Sequence, residues 1–283
     1  MEAVQRIEDV RSRVKAARTA GKKIGFVPTM GALHIGHISL IDTAVADCDF
    51  VVVSIFVNPT QFGPGEDFQK YPSPLEADLQ ICEEHKVDLV FNPTPEIMYA
   101  KDSLTWVDVE KLTGPLCGRS RPGHFKAVTT VCAKLFNIVL PDVACFGQKD
   151  AQQALVIKKM VADLNMPLEI IVCPTVREEN GLAVSSRNRY LSAQQRNDAA
   201  IIYKSLCKAA DLINAGNTDP RAVIAEIRRT MNHVPELQVD YVSIVDAQTL
   251  QDLDNITGRV LVAVAAGLGP ARLIDNIVVD VDR

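Results

Sequence analysis

A chain of 283 residues with 47% hydrophobic and 23% charged residues has enough apolar material to bury a sizeable core, as one large domain or two modest ones. Its net charge of −5 excludes a broad nucleic-acid surface, which needs a basic excess, yet stays compatible with a local basic pocket for a small anion. No apolar run in the sequence approaches the ~20 residues that span a bilayer, so neither a membrane-spanning helix nor a membrane partner is expected.

The opening segment Met1-Glu2-Ala3-Val4-Gln5-Arg6-Ile7-Glu8 is charged and amphipathic where a secretory signal would be apolar, and its pattern predicts a helix over 2–20. A strand at 24–28 then leads into Pro28-Thr29-Met30-Gly31-Ala32-Leu33-His34-Ile35-Gly36-His37 and a helix over 36–47. The next strand, 50–57, is apolar on both faces and so belongs in the middle of a sheet covered by helices. Ser73-Pro74-Leu75-Glu76 reads as a capping box with Pro at the first helical position, opening a helix over 74–86 before a strand at 87–91. A helix at 127–139, a strand at 143–146, a helix at 151–164 and a strand at 168–173 continue the alternation. This is the pattern of a Rossmann-like, doubly wound parallel α/β sheet.

Pro174 and the polar stretch Arg177-Glu178-Glu179-Asn180-Gly181 mark a break, which predicts one domain over 1–176 and a smaller α/β domain over 177–283 that closes over the site. In the second part Ser192-Ala193-Gln194-Gln195 resembles a capping box for a helix reaching about Ala215, where Gly216 can end it. Asp219-Pro220 can cap another helix, and strand-like segments follow at 237–245, 259–265 and 272–280. Seven cysteines, at 48, 82, 117, 132, 145, 173 and 207, form no Cys-x-x-Cys pair and several sit in apolar runs. Buried free thiols in a reducing, cytoplasmic setting are the expectation, with neither a disulfide framework nor a cysteine-based metal site.

The chemistry-bearing residues cluster where strands end. His34 and His37 follow the first strand, Asn58 and Gln61 the second, and Lys149 and Asp150 a later one, and in open parallel sheets ligands bind beyond the carboxyl ends of the strands. A helix starting near Gly36 would aim free backbone N–H groups and its dipole at a phosphate, and two imidazoles would add donors that follow developing charge. Gly36 would let a base or ribose approach the backbone. A His-x-x-His pair also suits an ordinary strand-to-helix turn with two surface histidines.

The string PTMGALHIGH, together with Ser54-Ile55-Phe56-Val57-Asn58-Pro59-Thr60-Gln61-Phe62, Arg121-Pro122-Gly123-His124-Phe125, Cys145-Phe146-Gly147-Gln148-Lys149-Asp150, Ser185-Ser186-Arg187-Asn188 and Arg272-Leu273-Ile274-Asp275-Asn276, resembles the pantoate–β-alanine ligases of the HIGH-motif nucleotidyltransferase superfamily. The resemblance runs through nearly the whole chain. It implies condensation of pantoate with β-alanine using ATP, by way of an acyl adenylate, in a cytoplasmic homodimer with Mg²⁺ as the counter-ion of ATP. It assigns catalysis to His34, His37 and Lys149, and ATP binding to Met30, His34, His37, Gly147, Lys149, Asp150, Val176, Val184, Ser185, Ser186 and Arg187. Pantoate falls to Pro28, Asn58, Gln61 and Gln153, with Gln152 expected on the helix surface. Hydroxyls and a guanidinium suit phosphate oxygens because all are donors and the Arg fork is bidentate, whereas neutral amides orient a carboxylate without quenching its nucleophilicity. Arg121 is open between anion binding and folding its own loop.

Two positions depart from the family pattern. The usual adjacent acidic pair is Ala77-Asp78 here, which leaves Asp78 and Asp150 as the metal-side candidates, with Glu76 expected to be occupied by its own helix cap; Gln148 stands where relatives often carry glutamate. Two other readings compete. Another HIGH-type nucleotidyltransferase would pass a nucleotidyl group to a phosphorylated acceptor, against which the neutral Gln61 and Gln153 argue. A nucleotide-sensing protein without turnover would not need the full set of His34, His37, Lys149, Ser185 and Arg187.

Overall fold

A strand that is apolar on both faces needs cover on both sides, and helices flanking a parallel sheet supply it. In the computed structural model, which describes residues 1–281, the elements run β1 (Glu2–Val4), α1 (Ile7–Thr19), β2 (Ile24–Thr29), α2 (Ile35–Asp47), β3 (Phe50–Ile55), α3 (Leu75–Glu84), β4 (Leu89–Phe91), α4 (Pro95–Met98), α5 (Cys117–Ser120), α6 (His124–Val139), β5 (Val143–Gly147), α7 (Ala151–Asp163) and β6 (Glu169–Cys173). Then follow α8 (Ala193–Ala199), α9 (Ile201–Asn214), α10 (Pro220–Met231), β7 (Gln238–Asp246), β8 (Gly258–Leu268) and β9 (Ala271–Val281). By internal packing the chain forms two units. One comprises 1–113, 121–147 and 153–174, the other 114–120, 148–152 and 175–283.

The first unit is built on a six-stranded parallel sheet in the order β1-β4-β3-β2-β5-β6, with Val51, Val52 and Val53 of β3 all buried. From β2 the chain builds outward in one direction through β3 and in the other through β5, so Thr29 and Gly147, the carboxyl ends of β2 and β5, flank the point where the order reverses. Ligands of doubly wound sheets bind at such a point. The predicted helix over 2–20 is corrected: Glu2–Val4 is an edge strand paired in register with Leu89–Phe91, and the helix begins at Ile7. A three-residue strand whose partner lies some 87 positions away (89 − 2) leaves no local periodicity to read.

The second unit packs α8, α9 and α10 with an antiparallel sheet β7-β8-β9, its core including Ile202, Leu206, Ile227, Val262 and Val264. Ser192 and Gln195 make the predicted reciprocal capping box, and Asp219 caps α10 by accepting from Arg221 N with Pro220 in the first turn. Gly216 takes the left-handed conformation, φ 91°, just past α9. The capping box expected at Ser73–Glu76 is absent: α3 starts at Leu75 with no side-chain cap, and Glu76 is exposed.

In the first unit Asp142 ties three elements together. Its carboxylate accepts from Ile24 N at the start of β2 at 2.7 Å and from both Arg18 Nη atoms of α1 at 3.0 and 3.3 Å, and its own carbonyl accepts from Glu169 N of β6. Burial pushes this carboxyl up, but the Ile24 N–H and Arg18 pull it further down, leaving it below its ordinary 3.8. Asp142→Ala should therefore destabilise the protein by about 1–3 kcal/mol, the usual cost of orphaning a buried donor and a charged partner. Because the folded value is lowered, the gap between wild type and variant is full above the ordinary carboxylate range and closes as pH falls through the lowered value. Denaturant unfolding of both proteins at pH 7 and near pH 3 measures it.

Candidate active site

The loop after β2 turns sharply, with Gly31 at φ 82° and Ala32 at φ 51°, both left-handed. Two such residues in succession point neighbouring backbone N–H groups to the same side, a concavity suited to an anion. The anion is internal. Asp78, from the first turn of α3 and 1% exposed, accepts from Ala32 N at 2.8 Å and from Leu33 N at 2.7 Å, one hydrogen bond to each oxygen. The fit leaves no spare room, since a Cβ on Gly31 would lie 2.9 Å from Asp78 Oδ2 and 3.0 Å from Ile55 Cγ2. Thr29 completes the turn by donating to Ser54 O at 2.8 Å and accepting from Gly31 N at 3.1 Å.

His34 emerges from this turn as the N-cap of α2, its Nδ1 accepting from Gly36 N at 3.2 Å. The expectation of an unengaged Gly36 N–H is thereby corrected. Acceptance at Nδ1 puts the proton of the neutral ring on Nε2, making that edge a donor. His37, one turn into α2, stacks on His34 with ring centroids 4.0 Å apart and planes 26° apart. Two imidazolium charges that close would repel by roughly 4 kcal/mol at an effective dielectric near 20.

Beside the loop sits a set of neutral amides. Asn58, 1% exposed, accepts at Oδ1 from Thr60 Oγ1 and from Tyr99 Oη, each at 2.9 Å, and donates from Nδ2 to Gln61 Oε1 at 3.2 Å. That contact fixes which way the Gln61 amide points, so Gln61 Nε2 faces Met30 Sδ at 3.0 Å. The structure thus brings Met30, Asn58 and Gln61 together and adds Tyr99, which no sequence motif indicated.

The Arg121-Pro-Gly-His124 segment buttresses the same set. Arg121 forms a bidentate pair with Glu66 at 2.7 and 2.6 Å and directs Nη1 at His124 Nε2 at 2.9 Å. A guanidinium can only donate, so His124 Nε2 accepts and its Nδ1–H donates to Gln61 O at 2.9 Å. Burial pushes the Glu66 carboxyl up, and Arg121 more than reverses this, so it ends below its usual range. Arg121 is accordingly a neutralised, structural cation. Gln153 lies half-buried in the early part of α7, and Pro28 is half-buried within β2.

The second unit carries the cationic residues. Lys149 lies in the short turn Gln148–Asp150 with its side chain 20% exposed and Nζ 3.8 Å from Asp150 Oδ1. Gln152, expected on the surface, is buried: its amide donates to Pro115 O at 2.8 Å and accepts from Cys117 N at 3.1 Å, joining segments 35 residues apart. Val176 and Val184 face each other across a hairpin, with Val184 N donating to Val176 O at 3.0 Å. This segment leads into Ser185, whose hydroxyl accepts from Arg187 N at 3.3 Å, and into the turn Ser186–Tyr190. Buried Asn188 anchors that turn to Glu178 and Ala183 O.

No helix among the described residues is long and apolar enough to cross a membrane, and no group of three or more His, Cys, Asp or Glu among them could hold a metal ion. All seven cysteines are free, five of them buried.

A doubly wound parallel sheet with a His-x-x-His helix start beyond the carboxyl end of β2 matches the arrangement that the resemblance to the HIGH-motif ligases implies. A family profile described as pantoate-beta-alanine ligase matches residues 2–278, and the chain belongs to that family, whose activity is the ligation of pantoate to β-alanine. It is 52% identical over 281 residues to the pantothenate synthetase of Acetivibrio thermocellus, covering 99% of this chain and 100% of that one, and 54% identical over 282 residues to that of Moorella thermoacetica, covering 100% of both. Among solved structures, the pantothenate synthetase of Thermus thermophilus superposes with a TM-score of 0.93 at 43% identity, over 98% of this chain and 99% of that one. The pantoate-beta-alanine ligase of Francisella tularensis, described as complexed with beta-gamma ATP and beta-alanine, gives 0.81 at 37% identity over 98% and 97% of the two chains.

The geometry around Asp78 yields a direct expectation. In Asp78→Asn one oxygen can still accept, but the new NH₂ group faces a backbone N–H, so stability should fall by about 1–3 kcal/mol without ATP or metal present. Amide hydrogen exchange at Ala32 and Leu33 should accelerate in parallel. Unchanged unfolding with a shifted magnesium requirement would return Asp78 to the metal side.

Proposed function

We propose that this protein condenses pantoate with β-alanine using ATP, through a pantoyl adenylate. A pantoate carboxylate oxygen attacks the α-phosphorus of ATP, the bond to the pyrophosphate oxygen breaks and pyrophosphate leaves. The amine of β-alanine then attacks the carbonyl of the mixed anhydride, AMP departs and the amine nitrogen gives up a proton. The protein need supply no nucleophile, so its contribution is positioning and electrostatic stabilisation of the transferred phosphorus.

The observation that carries this reading is the neutral amide set in contact with the HIGH loop. Gln61 Nε2 rests on Met30 Sδ, a weak acceptor that an incoming oxygen can replace, and Asn58 holds the amide in the donating orientation. The neighbouring Arg121 is bound bidentately by Glu66. A carboxylate meeting these groups is oriented while keeping its nucleophilicity, whereas a phosphorylated acceptor calls for cations. Gln153 and Pro28 join Asn58 and Gln61 on the pantoate side. On the ATP side we place Met30, His34, His37, Gly147, Lys149, Asp150, Val176, Val184, Ser185, Ser186 and Arg187, with His34, His37 and Lys149 meeting the charge that develops during adenylation. The donor character of His34 Nε2 supports that role.

Magnesium accompanies ATP as its counter-ion and supplies charge neutralisation on the phosphates. Asp78 does not fit as its ligand, because both carboxylate oxygens are buried and already accept backbone N–H groups. Asp150, with its side chain 46% exposed, is the acid better placed to meet a hydrated ion, and no step is routed through a metal held by the protein. A cytoplasmic homodimer belongs to the same proposal. The free thiols support the compartment, and Leu104 and Trp106, 91% and 47% exposed, support an apolar contact between copies.

AMP formation that requires both pantoate and β-alanine, with a single turnover of pyrophosphate release that requires pantoate alone, tests the reading; transfer of a nucleotidyl group to a phosphorylated acceptor overturns it. Lys149→Ala should lower turnover by roughly 10²–10³-fold with folding intact, since removing one preorganised donor from a developing charge costs about that much. A folded variant with near wild-type turnover would take Lys149 out of the chemistry.

A further inference from the structure

The last motif, Arg272-Leu273-Ile274-Asp275-Asn276, has no part in the chemistry above, yet two of its members are buried polar residues. Asp275 is 4% exposed and Asn276 5%. They sit inside β9, paired with Val264 and Ala263 of β8 in an eleven-residue register without a bulge. Successive residues of a strand face opposite sides, and each of the two grips a different element.

Asn276 grips the Lys149 turn. Its Nδ2 donates to Gln148 O at 3.0 Å and to Lys149 O at 2.9 Å, and its Oδ1 accepts from Gln148 Nε2 at 2.9 Å. Both amide hydrogens are thus spent on consecutive peptide carbonyls. Asp275 grips the hairpin ahead of Ser185. It takes Arg177 bidentately at 2.6 and 3.0 Å, while Arg177 also donates to Gly181 O at 3.1 Å and lies 3.6 Å over the Tyr203 ring. The hairpin between Arg177 and Ala183 is pinned at its base and near its tip.

We infer that Asn276 is a positioning residue for adenylation: it fixes the backbone of Gln148 and Lys149 against a rigid strand so that the ammonium of Lys149 meets the ATP phosphates, and Asp275, through Arg177, gives the same support to the Ser185–Arg187 element. The inference rests on the proposed function, which assigns those elements to ATP. Both residues act through the elements they hold. A lysine side chain has four rotatable bonds, so an unanchored turn would let its charge wander, and about 1 Å of misplacement can cost roughly 10²-fold in rate.

Asn276→Asp keeps the shape and the acceptor for Gln148 Nε2 while replacing two donors by an oxygen that faces two carbonyls. We expect kcat/KM for ATP to fall by about 10- to 100-fold with the pantoate KM changed less than about twofold. In a double-mutant cycle the same change placed on Lys149→Ala should add less than about twofold, because the residue it acts through is gone. Asn276→Ala, which removes the donors without adding a repelling oxygen, provides the milder arm. Losses that add fully in the cycle, an equal rise in the pantoate KM, or failure of both variants to fold would each overturn the inference by making Asn276 a general support of the sheet. Wild-type protein that forms no AMP from ATP, pantoate and β-alanine would instead defeat the underlying function.

Discussion

A single buried carboxylate sets the geometry of the loop that follows β2. Asp78 is withdrawn from water, and a charge so placed is tolerable only when its oxygens are well supplied with donors. Ala32 and Leu33 supply them, with Gly31 and Ala32 in left-handed conformations that bring the two N–H groups round to face the carboxylate. The two hydrogen bonds offset both the desolvation of the carboxylate and the backbone cost at Ala32. His34 follows two residues later with its ring fixed by Gly36 N, so its direction is inherited from a helix that begins some forty residues downstream at Leu75.

The amide set is governed by the same logic with the opposite charge. A cation close to an attacking carboxylate would hold it in the ground state as firmly as in the transition state, and uniform binding of that kind gives no rate. Arg121 is present near Gln61 for its reach and planarity: its guanidinium fixes the His124 tautomer, while Glu66 cancels its charge. What reaches Gln61 is a backbone contact. The cations proposed to act on substrate belong to the turn at Lys149 and the segment Ser185–Arg187, where anionic phosphate chemistry is assigned.

Much of the architecture was legible because period and punctuation carry it. Phe50–Ile55 is apolar on both faces and lies inside the sheet, and the caps at Ser192 and Asp219 follow short-range rules that need no tertiary knowledge. The edge strand Glu2–Val4 was not legible, since its only reason to be extended is a partner strand far along the chain. Gln152 misled for a related reason. An amide next to Gln153 on an amphipathic helix reads as solvated, and only the carbonyl of Pro115 and the N–H of Cys117 make burial tolerable. Glu66, Tyr99 and Asp78 in its holding role share this property: their partners lie some 40 to 55 residues away, beyond any motif window.

The motif strings therefore mix two kinds of residue that sequence cannot separate. Within Pro28–His37, His34 presents a donor edge while Gly31, Ala32 and Leu33 receive Asp78; within Gln148–Asp150, Lys149 carries the charge while its carbonyl is held from β9. A residue that contacts substrate and a residue that holds such a contact are selected for the same loss of function, but they fail differently. Removing a contact lowers the rate of a protein that still folds, whereas removing a support also weakens the loop it holds. Asp78 illustrates the consequence: its oxygens are committed to the backbone N–H groups of the loop, which makes it a support.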